Sequence, residues 1–206
     1  MFFTRTPLIL ASGSPRRREL LTGLGLAFSV LPGLAPEPDP LPGESPQDYA
    51  QRAAVAKARE IAPNQPRATV LAADTVVALD RDILGKPASD AEALDMLTRL
   101  AGRTHVVVTG CHLLGPVREG ATAEARPATT FAVTTEVDMV RHPTSVLAAY
   151  VATGEPRDKA GAYAIQGRGA FLVAAVRGSH SNVIGLPLAE VLEVLVSWGI
   201  VVPRTR

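Results

Sequence analysis

Residues 8–21, LILASGSPRRRELL, read as a short strand, a tight turn of small residues and the start of a helix. The continuous apolar run over 8–11 is typical of a strand that is buried on both faces. Ser14 is a favourable N-cap, and Pro15 suits the first helical position, where a backbone N–H would have no helical partner. We therefore expect an α/β fold organised around this strand–turn–helix unit.

The turn and the first helical residues also concentrate groups that bind anions. Ser12 and Ser14 supply hydroxyls, the helix start supplies unpaired backbone N–H groups, and residues 16–18 are consecutive arginines. This combination suits a polyphosphate, because helix N-termini and guanidinium groups both favour negative oxygens. A solvated basic helix start beside an ordinary βα turn has the same sequence, so this stretch alone leaves both interpretations open.

Composition argues against several classes of protein. The 206 residues are 47% hydrophobic and carry a formal net charge of +1. Basic residues are spread along the chain, which argues against a nucleic-acid or membrane-surface partner. Cys111 is the sole cysteine, so no internal disulfide can form, and its apolar surroundings predict a buried structural thiol. With no segment of transmembrane length, we expect a cytoplasmic protein with one domain over residues 1–206.

Asp74 lies between two apolar runs, a strand over 69–73 and extended chain over 76–79. A carboxylate there is either exposed at a strand end or buried and paired, because an unpaired buried charge is very costly. Ligands of open α/β sheets bind beyond the carboxyl ends of strands. Asp74 is therefore the best candidate for a catalytic or metal-binding acid, and the alternative is an aspartate that caps a local turn.

Two loops carry further polar candidates. The proline-rich segment 32–46 contains Glu37, and long ordered loops often border sites, although a plain surface connection would look the same. The segment 155–169 is rich in glycine, which suits close approach of a ligand. Its Gln166 offers donors and an acceptor, as the reading of a nucleobase edge requires. The alternative for this segment is a flexible surface loop.

Common catalytic motifs are missing from the sequence. It has no Walker loop, no Gly-x-Gly-x-x-Gly after the first strand, no Gly-x-Ser-x-Gly elbow and no His-x-x-x-His pair. Cations and acids at the ends of predicted elements remain, and together they suit phosphate-ester or anhydride chemistry with a divalent ion. The cations are Arg16, Arg17, Lys57, Lys86 and Lys159, and the acids are Glu37, Asp74 and Asp158.

Short motifs in a fixed order span nearly the whole chain: ASGSPRR (11–17), ADT (73–75), GKP (85–87), residues 100–110, DKAGAY (158–163), IQG (165–167) and GLPL (185–188). Each motif alone is weak. In this order they resemble the Maf proteins, nucleoside triphosphate pyrophosphatases once described as septum-formation inhibitors.

The resemblance implies two α/β lobes around a mixed, strongly twisted β-sheet, with a nucleotide in the central cleft. It also implies hydrolysis of a nucleoside triphosphate to the monophosphate and pyrophosphate, helped by Mg²⁺ or Mn²⁺, and it is compatible with a homodimer. By its place in the motifs, Asp74 matches the proton acceptor of the family. Substrate-selecting positions are Arg16, Thr75 and Gln166, and further active-site positions are Glu37, Lys57 and Lys86.

The three selecting positions also indicate a branch of the family. Arg, Thr and Gln there resemble the branch that acts on dTTP and UTP, whereas the branch that acts on 7-methyl-GTP carries other residues. Pro36 departs from many relatives, which have an acid before Glu37, so we expect the metal on Glu37, Asp74 and phosphate oxygens. The triphosphate is expected at the first helix and nearby side chains: Ser12, Arg16, Arg17, Lys57 and Lys86.

Functions from other classes remain open at this point. A nucleotide-sensing regulator of septation with little turnover, acting through a protein partner, would use the same cradle. Asp74 separates the two functions, because sensing alone needs no base at that position. A nucleic-acid-binding module predicts a basic stripe with stacking aromatic residues, and it ranks last because only 4% of the residues are aromatic.

Overall fold

A computed structural model of the protein describes residues 1–117, 120 and 125–204. The strands in these ranges are β1 Phe2–Thr4, β2 Leu8–Leu10, β3 Ser29–Val30, β4 Thr69–Leu79, β5 Asp82–Leu84, β6 Thr104–Leu114, β7 Ala128–Met139, β8 Val173–Arg177 and β9 Val201–Pro203. The α-helices are α1 Pro15–Gly23, α2 Pro46–Ile61, α3 Asp90–Leu100, α4 Thr144–Val151, α5 His180–Ile184 and α6 Leu188–Ser197.

The main sheet is mixed and seven-stranded, with the order β3-β2-β4-β6-β7-β8 and β5 attached to β4. Strand β2 runs parallel to β3 and β4, whereas the β4–β6, β6–β7 and β7–β8 pairs are antiparallel. The short β1 pairs with β9 outside this sheet. The decisive strand–turn–helix unit is therefore β2, a turn and α1, and Ser14 caps the helix by accepting from the backbone N–H of Arg17.

Strand β4 has one edge that is only partly covered. Along its other edge, β6 pairs continuously from Val70 to Ala78. On the partly covered edge, β2 pairs with residues 69–71 and β5 with residues 77–79. The sequence predicts a strand that ends at Asp74, but β6 holds β4 extended through this point. The open space beside Asp74 therefore arises because β2 ends early, and not because β4 ends there.

Helices cover both faces of the sheet and define two lobes. In one lobe, α3 and α4 pack on the end of β4 and the start of β6, around Leu97 and Leu147. In the other, α1 and α6 pack on β2 and the start of β4, around Leu21 and Leu195. The long α2 covers the opposite face of β4 and β6. The predicted α/β fold with two lobes around a mixed sheet is confirmed.

A helix that spans a bilayer needs about 20 consecutive, predominantly apolar residues. None of the helices within residues 1–117 and 125–204 is long and apolar enough to cross a bilayer. Cys111 is buried as predicted, and burial raises the pKa of its thiol to about 12. A thiol in this state is a poor nucleophile, because the thiolate is the reactive form.

Gly110 of β6 lets α2 lie directly on the sheet. It pairs with Asp74 across the β4–β6 ladder, so side chains at both positions point to the same face. A Cβ at position 110 would lie 2.3 Å from the carbonyl carbon of Ala50 in α2. The missing side chain therefore allows α2 to approach the strand, and this approach brings Lys57 of the same helix to Asp74.

A Gly110→Ala substitution should destabilise the protein by about 2–3 kcal/mol, because the added methyl meets helix backbone that cannot rotate away. Gly23→Ala is a matched control, since a Cβ there would meet no atom within 4 Å. Its unfolding free energy should stay within about 1 kcal/mol of the wild-type value. Urea unfolding of the three proteins measures both effects, and equal midpoints for all three would contradict this account of Gly110.

Because His105 of β6 is buried, we expect the free energy of unfolding of the protein to depend on pH. Its Nε2 lies 2.7 Å from the hydroxyl of Tyr163, and burial lowers the pKa of His105 to about 4. The unfolded chain takes up a proton near the ordinary value of about 6.5, so acid favours the unfolded state first. The free energy of unfolding should therefore fall by about 2 kcal/mol through His105 between about pH 7.5 and pH 5.

The His105 contribution can be separated from that of other groups with His105→Gln, whose amide can bond to Tyr163 but cannot titrate in this range. Urea unfolding of both proteins at several pH values gives the two slopes. The variant should show the shallower fall in this window. Equal slopes for the two proteins would show that His105 does not carry the effect.

Candidate active site

A cleft of about 750 Å³ lies between the two lobes, along the uncovered part of β4. Along with Asp158 and Lys159, the structure brings together there the side chains that the sequence assigns to substrate, metal or catalysis. These are Ser12, Arg16, Arg17, Glu37, Lys57, Asp74, Thr75, Lys86 and Gln166. They come from the β2–α1 turn, α1, α2, β4 and three loops, so only the tertiary fold makes them neighbours.

Asp74 and Lys57 form the buried centre of the cleft. The Lys57 ammonium lies 2.5 Å from Oδ1 of Asp74 and 3.0 Å from Oε1 of Glu37. The side chain of Asp74 is only 6% exposed, whereas that of Glu37 is 44% exposed. Asp74 is thus buried and paired, which is one of the two states that its sequence position allows. The alternative of an aspartate that caps a turn is wrong, because Asp74 lies within a continuous strand.

Glu37 joins a second lysine to this centre. Its Oε1 also lies 3.2 Å from the Lys86 ammonium at the mouth of the cleft. Burial tends to raise the pKa of Glu37, but attraction to Lys57 and Lys86 outweighs it and lowers the pKa below its ordinary value. Glu37 is therefore ionised at neutral pH, and two carboxylates and two ammonium groups alternate from the floor of the cleft to its rim.

Arg17 occupies the opposite face of β4 and is buried. Its Nε donates to the carbonyl of Gly185 at 2.7 Å, one terminal nitrogen donates to Ser12 Oγ at 2.9 Å and the other donates to Thr75 Oγ1 at 3.0 Å. These partners are all neutral. Burial lowers the pKa of Arg17, while the charge of Asp74 acts in the opposite direction. The guanidinium thus adds positive potential to the cleft without a carboxylate in direct contact.

A chain of hydroxyl groups fixes the orientation of Thr75. When Thr109 gives its only hydroxyl proton to the carbonyl of Asn182 at 3.1 Å, its oxygen is left to accept from Thr75. Thr75 therefore donates either to Thr109 at 2.9 Å or to the carbonyl of Gly185 at 3.4 Å. Both acceptors lie inside the protein, and Arg17 donates to the same Thr75 oxygen. What Thr75 can still present to a ligand is an acceptor lone pair.

Arg16 and Gln166 differ from these residues because their side chains are left uncommitted. Arg16 is half-buried in the first turn of α1, and Gln166 is exposed on the loop that faces it. Within the described ranges, neither side chain has a hydrogen-bond partner. Ser12 is the reverse case, since its oxygen accepts from both Arg17 and the backbone N–H of Ser14. The substrate-binding role predicted for Ser12 stays a prediction.

Sequence reasoning missed Glu60, which holds the loop that carries Glu37. Its carboxylate accepts from the backbone N–H groups of Leu34 at 2.6 Å and Ala35 at 3.2 Å. Glu60 lies three positions after Lys57 in α2, and residues at this spacing share a helix face. That spacing was the available signal.

Thr109 was missed for a different reason. It lies within the valine-rich strand β6, and its side chain meets Thr75 only because β6 pairs with β4 at this register. Nothing in the neighbouring residues shows that the fold places this hydroxyl beside the cleft.

The acidic side chains of the cleft bear on whether it can hold a divalent metal. No group of three or more His, Cys, Asp or Glu side chains converges in the part of the chain that the structure describes. Glu37 and Asp74 nevertheless face the same point, since both bind the Lys57 ammonium. Mg²⁺ often takes one or two carboxylates and completes its shell with water and substrate phosphate oxygens. The pair therefore fits a metal that arrives with a phosphate ligand.

Comparison with known proteins finds relatives that match almost the whole chain. A protein named dTTP/UTP pyrophosphatase from Nitratidesulfovibrio vulgaris is 54% identical over 198 residues, covering 96% of this chain and 90% of the relative. Proteins of the same name from Oleidesulfovibrio alaskensis and Myxococcus xanthus are 50% and 48% identical, covering 98% and 97% of this chain and 90% and 96% of the relatives. A solved HAM1 protein from Coxiella burnetii aligns with 67% of this chain and 75% of its own at 20% identity and a TM-score of 0.43.

The profile of the family described as Maf-like protein matches residues 7–198, which is nearly all of the sequence. The match includes every motif on which the sequence resemblance depends. The chain therefore belongs to the Maf-like protein family.

Proposed function

We propose that this protein is a nucleoside triphosphate pyrophosphatase that prefers dTTP and UTP. It would cleave the bond between the α- and β-phosphates and release a nucleoside monophosphate and pyrophosphate, with residues 1–206 acting as one catalytic domain. The observation that carries the proposal is the buried Asp74, held by Lys57 in a cleft that is otherwise rich in cations. The names of the relatives support the same activity.

The triphosphate would bind along the basic side of the cleft. The first turn of α1 offers backbone N–H groups, and Arg16 and Lys86 offer side-chain donors that face the opening. Arg17 adds its buried positive charge from below. Helix N-termini and guanidinium groups stabilise phosphate oxygens, and their effect is largest where water is excluded.

A divalent cation, Mg²⁺ or Mn²⁺, would be held by Glu37, Asp74 and phosphate oxygens, where it would offset the negative charge of the departing pyrophosphate. Lys57 is placed to share this task, because its ammonium already lies between the two carboxylates. The side chains of the protein then have two remaining tasks, which are to orient the attacking water and to recognise the base.

Asp74 would orient that water. Its carboxylate is anchored through Oδ1 to Lys57, and this contact fixes the direction of the other oxygen. A water bound there would give its proton to Asp74 as its oxygen forms a bond to the α-phosphorus. The bond from the α-phosphorus to the bridging oxygen breaks at the same centre, and pyrophosphate leaves with both bonding electrons.

Thr75 and Gln166 would read the pyrimidine. The remaining lone pair of Thr75 requires a donor, and the N3–H of thymine and uracil is one, whereas the N3 of cytosine is an acceptor. Gln166 can donate and accept, so it can pair with a neighbouring carbonyl of the base. This polarity explains how a single site would accept both dTTP and UTP.

Replacing Asp74 tests the proposed chemistry. Asp74→Asn should lower kcat at least about a hundredfold, because the amide cannot take the proton of water. Purified protein, Mg²⁺ and a panel of nucleoside triphosphates would be incubated, and the products separated. The wild type should yield monophosphate and pyrophosphate, fastest from dTTP or UTP. Asp82→Asn is the matched control, since Asp82 is an exposed carboxylate paired only with Arg99 within the described ranges.

Different outcomes of this assay point to different conclusions. Diphosphate and inorganic phosphate as products would show that another bond is cleaved. Nucleotide binding without turnover in the wild type would favour the regulator of septation. Near-normal turnover in Asp74→Asn would remove Asp74 from the mechanism while leaving the activity in place.

Replacing Gln166 tests base recognition. Gln166→Ala should reduce the ratio of kcat/KM for dTTP to that for GTP by about tenfold, the usual effect of removing a hydrogen bond that distinguishes two ligands. Arg168→Ala is the control, because Arg168 lies on the same exposed turn but does not line the cleft. An unchanged ratio in Gln166→Ala would show that Gln166 does not read the base.

A further inference from the structure

The loop that carries Gln166 is wrapped around one carboxylate, that of Glu155. Its Oε2 accepts from the backbone N–H of Arg168 at 3.0 Å, and its Oε1 accepts from the backbone N–H of Gly169 at 3.0 Å. The hydroxyl of Tyr150 donates to the same Oε1 at 3.1 Å. Both of these backbone donors follow Gln166 within three residues, so the carboxylate fixes the turn on which the exposed glutamine stands.

Two glycines make this wrapping sterically possible. Gly167 has a φ of +75°, and a Cβ there would lie 3.1 Å from Glu155 Oε2. At Gly169 a Cβ would lie 2.6 Å from the Tyr150 hydroxyl oxygen and equally close to the carbonyl oxygen of Ala164. The turn therefore has no spare room around the carboxylate, and its close fit requires glycine at both positions.

Glu155 is itself held in place from the other side. The Lys159 ammonium donates to the backbone carbonyl of Glu155 at 2.9 Å and to Asp158 Oδ1 at 2.5 Å. Arg157 forms a two-pronged pair with Asp90 at the start of α3. The segment that presents the carboxylate is thus tied to the lobe formed by α3 and α4.

The negative charge of the Glu155 carboxylate, the anchor of this turn, makes its hydrogen bonds stronger than those of a neutral acceptor. Burial tends to raise the pKa of Glu155, but the backbone N–H groups of Arg168 and Gly169, with the Tyr150 hydroxyl and the charge of Lys159, outweigh it and lower the pKa. Hydrogen bonds to an ionised acceptor are roughly twice as strong as those between neutral groups. The side chain of Gln166 has no partner within the described ranges, so its position depends on the backbone turn that Glu155 holds.

We propose that Glu155 is a positioning residue for base selection. It holds the turn of Gln166 in the position where the side-chain amide of Gln166 meets the pyrimidine. This inference rests on the proposed function, because it needs Gln166 to read the base. Discrimination between bases then depends on a carboxylate that does not line the cleft. The phosphate-binding side of the cleft does not depend on this anchor, so catalysis and selection should separate when it is removed.

The test compares Glu155→Gln with Tyr150→Phe. The glutamine has the same shape but replaces one acceptor oxygen with an NH₂ group that faces a backbone N–H. The phenylalanine removes the hydroxyl contacts with Glu155 and with the backbone of Ala164, and it leaves both backbone contacts of Glu155 in place. Steady-state kinetics would be measured for each protein with dTTP, UTP, CTP and GTP. Circular dichroism and thermal unfolding would establish the folded fraction of each protein. A second variant, Glu155→Asp, keeps the charge, but its side chain is too short to reach the turn.

In Glu155→Gln we expect kcat/KM for dTTP and UTP to fall about tenfold, mainly through KM, and that for GTP to change little. Glu155→Asp should behave in the same way, and Tyr150→Phe should keep the wild-type preference. An equal fall for all four substrates, or an unchanged preference in both Glu155 variants, would overturn the inference. A wild type that releases no pyrophosphate would instead overturn the proposed function, and with it the inference.

Discussion

The buried guanidinium of Arg17 is the interaction on which the site depends. It joins three segments that are distant in sequence: the turn after β2 through Ser12, strand β4 through Thr75 and the turn before α6 through Gly185. Each contact uses a neutral acceptor, so three of the five N–H donors of the group are bonded while its charge has no carboxylate in direct contact. A buried charge without a close counter-ion is costly. The fold therefore carries positive potential into the cleft, and an anionic ligand would relieve that cost.

Side chains alternate between the two faces of β4, so the strand separates the positive charge of Arg17 from the carboxylate of Asp74. Asp74 points to the face covered by α2 and meets Lys57, whereas Thr75 points to the opposite face and meets Arg17. The two polar side chains are neighbours in sequence but are separated by the strand itself. They can act on one ligand only because β2 ends early and leaves this part of the edge uncovered. Gly110 completes the arrangement, since a larger residue would meet the backbone of α2, the helix that carries Lys57, at Ala50.

Local sequence predicts much of the fold. The unit of β2, turn and α1 follows from its apolar run and caps, and α2 begins in the same way, with Ser45 as its N-cap and Pro46 at the first helical position. Helix α5 is harder to predict, because Ser179 caps it and Nδ2 of Asn182 donates to the carbonyl of Val107 and to Thr135 Oγ1 in the sheet. Those partners are distant in sequence, so local patterns could not reveal them.

The candidate site shows the same limit. Charge type and spacing single out Asp74, Lys57 and Glu37, but nothing in the sequence could show that one ammonium bridges both acids. The sequence also groups Arg16 with Arg17, although the fold gives them different environments. Arg17 gives three of its five N–H donors to internal contacts, while the side chain of Arg16 has no hydrogen-bond partner within the described ranges. The groups most able to recognise a substrate are therefore those that the protein leaves unsatisfied, held in place by neighbours whose own hydrogen bonds are already made.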